Sequence, residues 1–323
     1  MKKTLLILAL LVILIPSYVF SQCTFTERDE NTNGLPNIGF VSGMAVAGDT
    51  FFIGTNVGLA ITTDSGATHT IKTMADGLPI TSVGKMIYHN GILYIATNAG
   101  LVISTDRGNT FTTKTTADGL LSNVINEVVI DNGKIYTYHE SGNRFSSTGI
   151  SVSEDGGTTF VSKLLENRGV ENRTVYDNAF TVNQGRIFIG VSDGLLFSTD
   201  DGDSYRLIGP GTGFPDAATR GNSFLWDISV DGANIVVGSD DLYISSDFGK
   251  TFTTITYADG LGLTVNRVVF VNDNTIISAG WDGNIFSGVV SISSDGGGTF
   301  DSFDEDTGNL ADGFRGLQYH PAR

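Results

Sequence analysis

The sequence predicts an all-β chain: a single β-propeller of four-stranded antiparallel blades, with six complete blades. Three observations predict it. A short phrase with one aspartate recurs six times, as TTDSGATH, STDRGNTF, SEDGGTTF, STDDGDSY, SSDFGKTF and SSDGGGTF, placing its carboxylates at Asp64, Asp106, Asp155, Asp200, Asp247 and Asp295. The successive spacings are 42, 49, 45, 47 and 48 residues, and roughly 40–50 residues is the length of one four-stranded blade. The composition agrees, because 41 Gly against 6 Pro in 323 residues, with Thr, Ser, Val, Ile and Phe filling the pattern, favours many short strands joined by tight turns.

In chain order, the first element is a leader. Met1-Lys2-Lys3 precedes eleven apolar residues, Leu5 to Ile15, and then PSYVFSQ, the charged start, apolar middle and polar exit of a secretory signal peptide. The run falls short of the roughly 20 residues that cross a bilayer. Residues 1–21 are therefore read as a signal peptide and 22–323 as the propeller domain, with a lipid anchor on Cys23 as the competing reading. Cys23 is the one cysteine, so no internal disulfide staples the fold; a chain this long buries enough core without one. The net charge of −16 becomes −18 when Lys2 and Lys3 leave. Such a surface argues against nucleic acid and anionic lipid as partners, since both are gripped through Lys and Arg.

The second repeat shows the plan of a blade. SVGKMIYHN, GILYIATNAG and LVISTD are followed by the aspartate phrase and TFTTKTT, four strand-like segments separated by Asn-Gly, Ala-Gly and Asp-x-Gly turns. We call them strands A to D. A second phrase keeps step with the first, as ADGLPITSV, ADGLLSNVI and ADGLGLTVN from Ala75, Ala117 and Ala258, and no helical period intervenes. The aspartate phrase falls at the C–D turn. There the carboxylate accepts backbone N–H groups, the glycine takes φ > 0, and the closing Phe or Tyr turns into the blade. Six equivalent aspartates are a structural device, not six catalytic centres. Residues 23–35 resemble a spare strand D and 312–323 a spare strand A, so a partial seventh blade or an irregular closure completes the ring.

The phrase Ser-x-Asp-x-Gly-x-Thr-Phe resembles the Asp-box, or BNR repeat, of sialidases, xyloglucan hydrolases, sortilin-type receptors and photosystem assembly factors. The DGLP and LYIATNAGL wording also resembles the propeller repeats in sensor regions of two-component regulators. The resemblance implies a sialidase-superfamily-like fold whose boxes are structural and lie away from the active site. It does not transfer one function, because those families differ in theirs.

Strand alternation puts A–B and C–D turns on one face, and B–C turns and D–A crossings on the other. The long connections all belong to the second face, where binding residues usually sit. That face is the candidate site, carrying His139, Glu140, Arg144, Arg168, Glu171, Arg173, Asp216, Arg220, Trp281 and Asp282. The arginines could clamp a carboxylate or sulfate, or neutralise neighbouring acids. Trp281, in a Gly-flanked loop, could stack on a sugar ring or cover the blade core.

The leading functional expectation is a secreted or periplasmic, monomeric, non-catalytic module that binds a glycan or another exported protein. A glycoside hydrolase of the Asp-box type is the rival, with Glu140, Glu171 or Asp216 as acid or base. The Phe/Tyr-Arg-Ile-Pro phrase expected of a sialidase is missing, and one propeller is half of what xyloglucan hydrolases set around their cleft. A propeller module of a larger surface or sensor protein is the third reading. No cofactor is expected, with calcium at the acidic run from Asp301 as the competing reading. His69, His89, His139 and His320 lack ligand spacing for zinc, and the acidic run from Asp301 departs from the calcium-loop register because Gly308 stands fifth from Asp304.

Overall fold

The computed structural model describes residues 41–64, 66–140, 148–166, 175–209, 211–214, 225–259, 261, 265–272, 274–282 and 287–303. Blade 1 comprises β1 (Val41–Ala47), β2 (Thr50–Thr55), β3 (Gly58–Thr62) and β4 (Thr70–Lys72); blade 2 comprises β5 (Met86–His89), β6 (Ile92–Thr97), β7 (Gly100–Ser104) and β8 (Thr112–Lys114). Blade 3 is β9 (Glu127–Asp131), β10 (Lys134–His139), β11 (Gly149–Ser153) and β12 (Val161–Leu164), and blade 4 is β13 (Val175–Asn183), β14 (Arg186–Val191), β15 (Gly194–Ser198) and β16 (Arg206–Ile208). Blade 5 is β17 (Asp227–Asp231), β18 (Asn234–Gly238), β19 (Leu242–Ser245) and β20 (Thr253–Ile255), and blade 6 is β21 (Val265–Asn272), β22 (Thr275–Asp282), β23 (Ser287–Ser293) and β24 (Asp301–Phe303).

Each group of four pairs in sequence order and antiparallel, and the six sheets stand in a ring, a six-bladed propeller. The expected leader (1–21), Cys23 and both spare strands of the closure lie outside the described residues.

The middle strands are buried on both faces, so they read as continuous apolar runs, Phe51-Phe52-Ile53 or Leu93-Tyr94-Ile95. Cores form between successive sheets. Tyr138 and Ile150 of blade 3 pack with Phe180, Ile187 and Leu196 of blade 4, and Tyr138 stacks on Phe180 with ring centroids 5.1 Å apart.

The repeated aspartate phrase builds one hydrogen-bond relay. In blade 2 the Gly108 N–H donates to Ser104 Oγ (2.8 Å), Ser104 donates to Asp106 Oδ1 (2.9 Å), and Asp106 accepts the Thr110 N–H (2.8 Å) and hydroxyl (2.6 Å). The buried serine is the hinge of this relay, and Thr62, Ser153, Ser198, Ser245 and Ser293 repeat it. Even the first copy, which closes on His69, keeps the bonds of Asp64 to Thr68. Because the threonine four residues on donates both hydroxyl and N–H, the carboxyls of Asp64, Asp106, Asp155, Asp247 and Asp295 are lowered to about 2.

Two features depart from the expectation. The residue after the aspartate also takes φ > 0 at Arg107, Asp201 and Phe248, which throws its side chain back toward the preceding blade. Asp201 thereby accepts from Lys134 Nζ (2.6 Å) and the Tyr136 hydroxyl (2.8 Å) of blade 3, and Phe248 lies under the guanidinium of Arg186 in blade 4, 4.7 Å from the ring centroid.

Second, the Ala-Asp-Gly-Leu phrase is a single 3-10 turn, Met74–Asp76, Thr116–Asp118 and Tyr257–Asp259. In the first two, Thr73 and Thr115 form capping boxes with Asp76 and Asp118, and Gly77 and Gly119 stop the turn in the left-handed region. One turn is too short to leave a helical period. The phrase also wedges between blades, since the Phe160 N–H closing the third box donates to Asp118 O at 2.9 Å.

Gly77 and Gly119 have φ of 98° and 97°, but a Cβ on Gly119 would lie 2.1 Å from Phe160 O whereas one on Gly77 meets nothing within 4 Å. Gly77→Ala is expected to cost about 1–2 kcal/mol of left-handed strain, and Gly119→Ala clearly more, in urea unfolding. Ser104→Ala, which orphans the buried Gly108 N–H, should cost about 1–3 kcal/mol in the same measurement. The five carboxyls at about 2 contribute stability that is complete above their unfolded pKa near 3.8 and lost as pH falls through about 2. The melting temperature should therefore drop steeply below pH 4.

Candidate functional site

Sequential antiparallel pairing leaves the aspartate turns on the face of the A–B turns, as the Lys134–Asp201 contact between a strand B start and a box also requires. The opposite face bears the B–C turns. Most are tight: Thr55 and Thr97 each donate a hydroxyl to the carbonyl three residues on (2.7 Å) and accept the N–H two residues on.

A pocket of about 210 Å³ opens on this face where blades 1, 2 and 3 meet, lined by Ser42, Ser82, Lys85, Asn98, Ile125 and Asn126. Each comes from a strand A entry or a B–C turn. The lining is mostly amide, hydroxyl and main chain, with Ala96 and Ile125 as its apolar side chains; its one cation, Lys85, pairs with Glu127 beside the pocket, and the two side chains keep only 17% and 14% of their exposure. Asn126 is held by its neighbour, because its Oδ1 accepts the Glu140 N–H at 2.8 Å. Such a wall presents donors and acceptors to an uncharged polar ligand. No aromatic ring is part of the lining.

His139 and Glu140 fall where Thr97 and Asn98 stand one repeat earlier. His139 ends β10 and is fully buried, a correction to its expected place on the open rim. A β-strand alternates its side chains, and this position points into the blade. Nδ1 lies 3.0 Å from Val124 O, and Nε2 lies 2.8 Å from Thr137 Oγ1 and 3.0 Å from Ser151 Oγ. The carbonyl fixes the proton on Nδ1, so Nε2 accepts. Burial pushes the ring down to about 4 despite the Val124 and Ser122 carbonyls. Glu140 is partly buried, and its Oε2 has no hydrogen-bond partner among the described residues.

Trp281 and Asp282 were expected in a loop. They are instead the last residues of β22, paired with Gly288 and Ser287, so the hairpin of blade 6 runs further than its glycines suggested. Arg144, Arg168, Glu171, Arg173, Asp216, Arg220 and the calcium candidate Asp304 lie outside the described residues. Among the described residues no group of three or more His, Cys, Asp or Glu could hold a metal ion, and no helix is long and apolar enough to cross a membrane.

Sequence reasoning missed Lys85, Asn98, Asn126 and Glu127. A signal existed for the charged pair: Lys85 and Glu127 are opposite charges 42 residues apart, the same interval as Asp64 to Asp106, which puts them on neighbouring blades at one height. Asn98 reads as an ordinary hairpin residue.

No family model matches this chain, and no curated protein matches it. Solved structures match in fold. YCF48 from Cyanidioschyzon merolae is similar with a TM-score of 0.62 and 14% identity, over 83% of this chain and 86% of that one. A YCF48 bound to D1 peptide gives 0.56 at 15% identity, over 79% and 75%. The extracellular domain of BT4673, a putative one component system of B. thetaiotaomicron, gives 0.58 at 14%, over 78% of this chain but 33% of its own. The GH74 xyloglucanase from Xanthomonas campestris gives 0.58 at 17%, over 82% and 45%. At these identities the likeness is one of fold: a propeller module, shared by a peptide-bound protein, the extracellular domain of a putative one component system and a xyloglucanase.

The tie of Tyr136 to Asp201 joins blades 3 and 4 through a buried ring. Tyr136→Phe deletes only the donated hydrogen bond and should lower unfolding free energy by about 1 kcal/mol in a denaturant titration, with Lys134 still pairing Asp201.

Proposed function

We propose that the chain is an exported, non-catalytic binding module that engages a glycan or an exported protein through the face of the B–C turns. The observation that carries this reading is the pocket of blades 1 to 3. Its polar groups are amides and hydroxyls, and its charged pair is internally neutralised, which suits recognition by hydrogen bonding rather than proton transfer. A peptide-bound YCF48 and an extracellular sensor domain among the similar folds support the binding-module class, and the leader at 1–21 supports export. Arg144, Arg168, Arg173 and Arg220, which the sequence assigns to the long connections, and Trp281 and Asp282 at the end of β22 are the further residues that this reading would enlist for binding.

The test pairs binding with turnover. A glycan array and a tiled peptide array are probed with the full chain, alongside xyloglucan and aryl glycosides as substrates. The expected result is saturable binding that Asn98→Ala with Ser82→Ala weakens at least about tenfold, roughly the loss of one or two hydrogen bonds, and no hydrolysis. Turnover that Glu140→Gln abolishes while binding persists would overturn the reading in favour of a hydrolase.

A further inference from the structure

One buried side chain holds a wall of the pocket. The crossing from blade 2 to blade 3 supplies Ile125 and Asn126 to the lining, and between Gly119 and Asn126 it is tied to blade 3 through polar side chains. The Leu121 N–H donates to Ser151 Oγ (2.9 Å), Ser151 Oγ lies 3.1 Å from Ser162 Oγ, and Ser162 donates to Gly119 O (2.6 Å). His139 Nδ1 donates to Val124 O. Blade 6 repeats the serine pair, as Ser291 with Ser302 (2.7 Å), whereas blades 1, 2, 4 and 5 place Ala60, Val102, Leu196 and Tyr243 where Ser151 stands; Thr55, Thr97, Val191 and Gly280 stand where His139 does, so the histidine is what sets blade 3 apart from these.

We infer that His139 is a positioning residue of the pocket: its neutral ring latches the 119–126 crossing onto blade 3, and acid releases that latch and with it the pocket wall. The inference rests on the reading of this face as the binding face.

The proton count explains the latch. With one hydrogen per hydroxyl, the neutral Nδ1–H ring satisfies every group in a single direction: Thr137 donates to Nε2, Ser151 to Ser162, and Ser162 to Gly119 O. A proton on Nε2 forces Thr137 to turn toward Ser151 O, 3.4 Å away, and leaves an imidazolium in a dry interior. The ionisable groups on the elements around it are Lys134, Tyr136, Tyr138 and Glu140 on and just after β10, Glu127 and Asp131 on β9, Glu154 after β11, Lys163 on β12 and Asp118 in the crossing. None of them is among the influences on the ring, which are burial and the Val124 and Ser122 carbonyls. The charge therefore has carbonyl partners but no described counter-charge to offset its burial. Relief comes from exposing the ring, and the segment that can leave is the crossing, whose Asn123 and Val124 are already exposed.

Backbone amide hydrogen exchange on the full chain without ligand tests this at pH 7.5 and 5.0, corrected for intrinsic rates. An opening that returns the ring from about 4 to its ordinary 6.5 becomes roughly 30-fold more populated over that interval. The Leu121, Asn126 and Glu140 amides should lose protection by about that factor, while the box amides of Gly108 and Gly202 keep theirs. His139→Thr, the residue of blades 1 and 2, should remove the pH dependence. Protection that does not change with pH, or that falls equally in all blades, overturns the latch on the unmutated protein alone; so does a His139→Thr chain that keeps the pH response. Since no ligand is used, a failure here leaves the binding reading standing, and silent arrays would leave the latch standing.

Discussion

A sheet buried on both faces has nowhere to leave a backbone N–H unpaired, and the turn into each outer strand is where such groups collect. That constraint governs the molecule. The turn must reverse within a few residues, so its glycine N–H points inward and the N–H four residues after the aspartate points to the turn's centre. A serine or threonine hydroxyl satisfies the first, and a carboxylate satisfies the second while accepting two hydroxyls. Six nearly identical turns follow from one local problem solved six times. The carboxylates are engaged by that solution, each holding its own turn.

The same turns set the ring. Once the residue after the aspartate adopts the left-handed region, its side chain reaches the preceding blade, and the choice of residue decides the contact: Asp201 takes up Lys134 and Tyr136, Phe248 lies under Arg186. The capped 3-10 turns then fill the gap between outer strands, as Asp118 O meeting the Phe160 N–H shows. Ring assembly thus rests in part on side chains that belong to local turns.

The fold was legible because its signal is periodic. Six copies of a phrase at blade spacing, with alternating turn residues between them, leave few architectures. The face that carries the candidate site followed from strand alternation alone. The individual residues did not. His139 was placed on the rim because it borders a long connection, but whether the last residue of a strand points in or out depends on register, which a loop of unknown shape does not reveal. Trp281 was placed in a loop because glycines flank it, although glycine also ends a strand late. The pocket itself is made by three strand entries that are distant in sequence, and only the charge pair at one repeat interval announces it.

The central claim is that the six aspartates are turn locks and that ligand recognition lies on the other face. A carboxyl-carbon NMR titration of the full chain tests it most directly. The account predicts that Asp64, Asp106, Asp155, Asp247 and Asp295 all titrate near 2, with Asp200 also well below the usual carboxylate range, as carboxylates bonded to hydroxyl and N–H donors must. Any one of the six titrating at the ordinary value near 3.8, or above it as the acid of a hydrolytic pair does, would contradict it.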